Sequence, residues 1–543
     1  MKIARDSLTI SFELPFTFME KCKVLLDRRG ERIIALLLFL ISIASFYYYY
    51  NNGQGLAYND ARSHLDISRR VVEGLKPGLA QIGSVWLPLP HLLNALTVWN
   101  DFMWHTGLSG AVVSMVSFVY CGVLIYKYLK SLGVGMFGRL FACSIFTLNL
   151  NVLYLSATAM TELPLLAAMT AASYHLMLWY KDNNLLDMIK TALWVMVSTL
   201  IRYDGWFLLV FIFATLGMGI FRKRDKVETE GKLILFGTLA GYGVILWFLW
   251  NLLIFKDPLY FAFGPFSAHE QQKGISSAGE LFTKGNIYYS FLAYFYATLY
   301  NTYSFITFMA ILGFSVFLVD KKIDKNIKIA SLALISPFFF NIIALYLGHS
   351  VLFVYGLFKD TWFNVRYGMM LVTGMAVFIG YLVDKVKDLR WVFVGVFSLI
   401  TIFAFIGKDA ATIDDALIGA SGKNVSEVSS WIKKNATSRD GFILISAASH
   451  DAIIFSSGLP MSRFIHEGTG KYWELATENP QNWATWIILR TNDMSDWTFR
   501  EIADAPGFKQ YNLVGHYPFA DIYELKPEVR SKVITEPILG KLK

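Results

Sequence analysis

Apolar stretches of about twenty residues recur through the first three quarters of the chain, and they leave it little choice of fold. A bilayer core about 30 Å thick needs roughly 20 mostly apolar helical residues to cross it. Eleven stretches meet that need: 33–50, 106–126, 140–158, 163–180, 185–201, 205–221, 233–255, 300–319, 329–348, 367–383 and 391–407. The charge-free run 285–319 is too long for one span, so its first part is expected in the interface or within protein. Charged residues make up only 17% of the chain, against about 25% in an ordinary soluble protein. The expected fold class is an α-helical polytopic membrane protein with about eleven transmembrane helices.

Basic residues set the expected orientation, because Lys and Arg collect in cytoplasmic loops. Segments 21–32, 127–139, 181–190, 222–232, 321–328 and 384–390 hold 22 Lys and Arg in 61 residues. The alternate segments 51–105, 150–163, 202–204, 256–284 and 349–366 hold 10 in 119. The cytoplasmic N-terminal segment is thus 1–32, the membrane domain 33–407, and everything from 408 to 543 lies outside. The net charge of +8 fits cytoplasmic loop ends and calls for no nucleic-acid partner. No short apolar core with a small-residue cleavage site opens the chain, so the first span is expected to be retained. Cys22, Cys121 and Cys143 form no CxxC pair, which argues against a disulfide framework or a cysteine metal site.

The charged residues that are not loop-end lysines fall on the expected outer side. They are Asp60 in YNDARSHLDISRR, Glu162 in ATAMTELPLL, Arg202 and Asp204 in LIRYDGW, His269 and Glu270 in the 256–284 loop, and Arg366 in WFNVRYGMM. Ionisable groups at a membrane boundary are costly and are candidates for function. In the long outer loop 51–105, NDARSHLDISRRVVEGL places its apolar residues on roughly one helical face. Asn59 or Asp60 is expected to cap that helix, and Gly74 or Gly78 with Pro77 to end it. Asp60 and His64, four apart, share a face near the positive end of the helix dipole. That end favours a carboxylate able to hold a metal ion or accept a proton. The remainder, GLAQIGSVWLPLPHLLNAL, is too broken to span and suits the interface, with Trp86 at headgroup depth.

The string YNDARSHLDISRRVVEGLKPGLAQIGSVWLPLPHLL, together with MTELPLL, RYDGW, DPLYF and NVRYG, resembles the GT-C superfamily over roughly residues 33–407. Protein O-mannosyltransferases and lipid A aminoarabinose transferases belong to that superfamily. The resemblance implies a membrane glycosyltransferase that takes a sugar from a polyprenyl- or dolichyl-phosphate donor on the outer face of the membrane. Two departures stand out. Asn59 and Ala61 flank Asp60 where many relatives carry a double acid, and no WWDYG-type motif lies near TWFNVRYG, which sets the chain apart from the oligosaccharyltransferase branch.

Under that reading the departing phosphate needs cations. Arg366 is the first choice and Arg202 the second, since a guanidinium offers a charged fork to phosphate oxygens. Asp60 is the expected general base for an acceptor hydroxyl. Direct displacement inverts the anomeric centre, and a phosphate leaving group needs no acid. Glu162 either orients the acceptor or shares a divalent ion, Mg or Mn, with Asp60. His64, His91, Trp86, Asp204, His269 and Glu270 complete the expected substrate surface, and Arg202 and Asp204 also suit a simple pair across their turn. The expected partners are membrane lipids, the lipid-phosphate sugar and a protein, lipid or glycan acceptor.

From 408 the composition turns soluble. SEVSSWIKKNA reads as a helix, and GFILISAA, ATWIILR and the run around HYPFADIYEL read as strands of a small α/β domain. NVS at Asn424 and NAT at Asn435 are glycosylation sequons on the expected outer side. Two rival readings stand beside the enzyme. A transporter or lipid flippase calls for repeats and midplane polar groups, and a non-catalytic polysaccharide-assembly protein for a dispensable Asp60 and Glu162.

Overall fold

The computed structural model describes residues 16–218, 226–265, 267–277, 279, 281–357, 359–422 and 424–537. Three sequence expectations fall partly outside them: the first half of the N-terminal segment, the end of the span 205–221 and the basic stretch 222–225. The Cys22 side chain is likewise outside the description.

Helix α1 (Phe16–Asn51) leads into α2 (Asn59–Val72), α3 (Pro88–Ala95) and α4 (Asp101–His105), which make up the long first loop. The bundle continues with α5 (Leu108–Ser131), α6 (Met136–Thr147), α7 (Leu150–Ser156), α8 (Glu162–Asp182), α9 (Leu185–Thr199), α10 (Asp204–Gly217) and α11 (Lys226–Phe255). The short α12 (Tyr260–Phe263) and α13 (Ala268–Ser277) precede α14 (Ile287–Thr302), α15 (Ser304–Val319), α16 (Lys325–Ser331) and α17 (Ser336–Tyr346). A 3₁₀ turn, Val365–Leu371, feeds α18 (Val372–Lys385), and α19 (Arg390–Gly407) follows.

Over the described residues, each of the eleven stretches read as a span is mainly helical, and the protein is a multi-pass membrane protein. Among the described residues, length and apolarity alone qualify six helices, or eight if each bent pair is one span. The shortfall from eleven has a physical reason. Helices α9 and α10 have only 15 and 14 residues, and α8, though 21 residues long, is made less apolar by Glu162, Thr170, Ser173, Tyr174 and His175. The long run 285–319 breaks at Tyr303 into α14 and α15, bent by 108°. Tyr303 takes φ 63° there, and its OH reaches the Asp409 carbonyl at 2.8 Å.

Beyond α19 come α20 (Ala411–Leu417), α21 (Ser426–Ala436) and α22 (Ala447–Ser457). The soluble part holds a five-stranded mixed sheet of β1 (Phe442–Ile445), β2 (Phe464–Ile465), β3 (Ala484–Leu489), β4 (Tyr511–His516) and β5 (Asp521–Leu525), in the order β2-β1-β3-β5-β4. β1 runs parallel to β2 and β3, while β5 is antiparallel to both β3 and β4. The HYPFADIYEL run is therefore not one strand. Its first half ends β4 and turns, and only its second half is β5.

Alternation along the strands splits the sheet's side chains between two cores. Ile443, Ile445, Trp486, Ile488 and Ile522 join the apolar core that runs on into the helical bundle. Phe442, Leu444, Ile487, Leu489 and Leu525 close a second core on the far face. The carboxy-terminal sheet domain is thus welded to the bundle through one face of its sheet. Helix α2 lies at that junction, packed between α3 and α22.

Candidate active site

Four chain segments bring the charged side chains that stand out in the sequence to one end of the bundle. Asp60 stands in the first turn of α2, while Glu162 opens α8 and Asp204 opens α10. Helix amino ends favour carboxylates through the aligned backbone dipoles. Arg202 sits in the turn before α10, and Arg366 on the 3₁₀ turn before α18.

The Arg366 guanidinium is the hub. Its Nη2 donates to Asp60 Oδ2 at 2.6 Å and its Nε to Glu162 Oε1 at 3.0 Å. Nη1 lies 3.8 Å from Asp415 Oδ2. Arg202 Nη1 donates to the same Glu162 Oε1 at 3.0 Å, and its Nε to Asp204 Oδ2 at 3.3 Å. The Tyr58 ring lies 4.9 Å from the Arg366 guanidinium, and Tyr367 lies 4.9 Å from that of Arg202. Cation–π contacts of this kind add to the hold when water is excluded.

Exposure divides the cluster into a floor and a rim. The side chains of Glu162 and Asp415 are 0% exposed and that of Arg366 3%, whereas Arg202 is 18% and Asp60 37% exposed. A group must be reachable to meet a substrate. Asp60 and Arg202 form the accessible edge, and Glu162 serves from below by holding two guanidiniums on one oxygen.

Asp415 was not singled out by sequence reasoning, and neither was Tyr58. Tyr58 OH donates to Asp415 Oδ2 at 3.1 Å and to the Thr412 carbonyl at 2.9 Å. Asp415 Oδ2 also accepts from the Val365 N–H at 3.2 Å, next to Arg366. Asn301 Nδ2 donates to the Val365 carbonyl at 2.7 Å. Both faces of that peptide segment are thereby fixed.

Gly368, on the turn that carries Arg366, packs directly on α14: a Cβ there would sit 2.3 Å from the Ala297 carbonyl carbon and oxygen. Backbone cannot yield as a side chain can. Gly368→Ala is expected to cost about 1–3 kcal/mol through overpacking and to move Arg366 off its partners. Thermal unfolding of the purified variant checks the first effect; a variant as stable as wild type would refute the close-packing argument.

His64, His91 and Trp86 form a second, adjoining group. His64 Nδ1 and His91 Nε2 are 2.9 Å apart, and the Trp86 ring lies 4.2 Å from that of His64. Burial, helped by the nearby Arg366 and Arg202 guanidiniums, pushes His64 down to about 3. Burial and the His64 ring hold His91 well below its ordinary value. Both imidazoles are neutral at physiological pH, so they offer stacking and hydrogen bonds rather than charge. Trp86 is committed to this stack. The expected cap on α2 by Asn59 or Asp60 is absent as well: Tyr58 occupies the capping position and makes no side-chain capping bond, and Asp60 pairs with Arg366 instead.

His269 and Glu270 are not drawn into the network. Glu270 pairs with Lys273 one turn along, and His269 rests edge-on against Phe263. The residues do not fit a divalent ion bridging Asp60 and Glu162, since the Arg366 guanidinium already stands between those two carboxylates. Among the described residues, no three His, Cys, Asp or Glu side chains gather closely enough to hold a metal ion.

No family model matches the sequence, and no curated protein matches it. Solved structures do match the fold. The crystal structure of ArnT from Cupriavidus metallidurans bound to undecaprenyl phosphate aligns over 92% of this chain and 98% of its own, with a TM-score of 0.54 and 11% identity. ArnT in the apo state aligns over 88% and 94%, with a TM-score of 0.50 and 11% identity. The chain thus shares the overall fold of ArnT.

Proposed function

We propose that this protein is a membrane glycosyltransferase that moves a hexosyl or pentosyl unit from a polyprenyl- or dolichyl-phosphate donor to a hydroxyl acceptor at the outer membrane surface. The observation that carries the reading is a reachable carboxylate, Asp60, ion-paired to a buried arginine on a fold that ArnT shows in complex with undecaprenyl phosphate. Nucleotide sugars are cytosolic, so an enzyme acting outside takes its activated sugar from a lipid phosphate. A site at the bundle's end, among the loops, meets such a donor where headgroup and water adjoin.

The acceptor oxygen forms its bond to the anomeric carbon as the bond from that carbon to the phosphate oxygen breaks. The electron pair leaves on the phosphate, and the acceptor's proton passes to Asp60, within hydrogen-bond reach at the rim. Arg202, the more exposed guanidinium, meets the phosphate, and Arg366 adds positive charge from below. Fixed charge aimed at the leaving group lowers the barrier without reorganisation. Direct displacement of this kind inverts the anomeric centre. Glu162 keeps both guanidiniums in place and is a positioning residue in this scheme. No step passes through a metal ion.

A transporter would use the broken helices to line a path. Here the asparagines at the two breaks tie helix ends together: Asn149 Nδ2 and Asn151 Nδ2 donate to the Asn301 carbonyl at 2.8 and 3.1 Å. This favours a fixed scaffold over a moving gate.

Purified protein in detergent, given a panel of polyprenyl-phosphate sugars with hydroxyl acceptors, is expected to release free polyprenyl phosphate from at least one donor. No release across the panel, with lipid phosphate moved between leaflets in vesicles, would sink the enzyme reading and favour the flippase. A chelator arm asks where the counter-charge comes from. Unchanged release assigns it to the guanidiniums, and lost release assigns it to an ion that arrives with the donor.

A further inference from the structure

Helix α2 carries Asp60 at one end, and residues from beyond the last span grip it at both ends. At the first turn, Tyr58 OH is bonded to the Thr412 carbonyl and to Asp415. At the last turn, Arg70 Nη1 donates to Asp451 Oδ1 at 2.8 Å, with side chains only 11% and 7% exposed. Glu73 Oε1 accepts the Met461 N–H at 3.0 Å, and past the helix Gln81 Nε2 reaches the Gly468 carbonyl at 2.8 Å. Between these ties Asp66 is wholly buried. It accepts from Trp104 Nε1 at 3.2 Å.

We infer that the soluble domain is a clamp that aims Asp60, and that Asp451, Arg70 and Asp66 are its positioning residues. The inference rests on Asp60 being the working carboxylate of the proposed transferase. Arg70 stands about 15 Å along the helix from Asp60, at about 1.5 Å per residue, so it cannot touch the same reacting atoms. A helix transmits a tilt of its last turn to its first. A displacement of about 1 Å at a reacting group costs on the order of a hundredfold in rate.

The clamp holds two buried acids, Asp66 and Asp451. Burying like-charged carboxylates close together favours their protonated forms. Burial first, then the partner carboxylate, holds Asp66 well above the ordinary 3.8. Burial, opposed by Arg70 and assisted by Glu467, brings Asp451 to about 6. His466 and His91 also face Arg70, and burial keeps both low and uncharged. Both acids bind protons more tightly folded than unfolded. The stability they contribute is therefore fully present at acid pH and is lost as pH rises from about 4 through the folded values. Asparagine at position 66 is uncharged at every pH, and its amide oxygen can still accept from Trp104 Nε1. Asp66→Asn is expected to gain stability relative to wild type as pH rises from about 4 to 7, read as melting temperature across that range.

The deciding experiment is hydrogen–deuterium exchange of the full-length protein in detergent, for wild type, Asp451→Ala, Arg70→Gln and Asp66→Asn. Asp451→Ala and Arg70→Gln are expected to speed exchange across 60–70 at least tenfold, while Asp66→Asn leaves it unchanged. Turnover should fall about 10–100-fold in the first two, with KM for the donor within threefold of wild type. Unchanged exchange in Arg70→Gln overturns the clamp. If Asp451→Ala also loosens β1 and β3, the domain itself has opened, and the outcome for Arg70→Gln, made on the bundle side, decides between clamp and no clamp. If wild type turns over no donor, the transferase reading fails, and the exchange data still decide whether α2 is clamped.

Discussion

Asn in place of Asp60 is expected to lower turnover at least a hundredfold while leaving the fold intact. The exchange is nearly isosteric, and the amide oxygen can still accept from Arg366 Nη2, now 2.6 Å from Asp60 Oδ2. At 37% side-chain exposure the residue carries little packing, so melting should barely move. What disappears is the ability to take a proton from the acceptor hydroxyl, an effect worth roughly 10²–10⁴-fold. Donor KM should hold or fall, because a negative charge beside the phosphate has been removed. The check is initial-rate release of polyprenyl phosphate, with the melting curve beside it. A variant within threefold of wild type would strip Asp60 of its assigned role.

The second large effect concerns stability. Glu162→Ala removes the one oxygen that both guanidiniums use, in a place with no solvent exposure. The buried Arg366 and the half-buried Arg202 are then left facing each other with too few partners. Breaking a buried ion pair from one side costs about 3–5 kcal/mol. The variant should express poorly or melt well below wild type, and any folded remainder should be inactive, since Arg202 and Arg366 lose their alignment together. Asp204→Asn tests the explanation, because Asp204 holds Arg202 alone and should cost clearly less. Equal losses for the two would mean that bridging by Glu162 is not what matters.

Much of this architecture is legible in the sequence, because a bilayer demands long apolar helices and long apolar runs are easy to find. The polar exceptions were also legible: Asp60, Glu162, Arg202, Asp204 and Arg366 stand out against an apolar background, and they meet in one network. Asp415 was not legible. It lies in a short acidic run with Asp409 and Asp414, and nothing local tells which of the three turns inward to a partner 49 residues away. Tyr58 is one of 28 tyrosines, and only the fold brings it under Arg366. His269 and Glu270 shared the expected side of the membrane with the site residues, yet side alone does not place a residue within a site. In the soluble part, β2 spans two residues, too few to leave a pattern. β4 and β5 were merged because the turn between them, YPFA, carries aromatic residues that read as strand.

Helix α19 buries only 11% of its most apolar window within the protein, yet it is the covalent link between bundle and soluble domain. The domain's seat is made elsewhere, through α2, α20 and the shared core. Continuity of the chain and integrity of the assembly are thus separate properties here. A cut in the loop before Arg390 would leave two pieces that share the site, since Asp415 and Thr412 on one meet Arg366 and Tyr58 on the other.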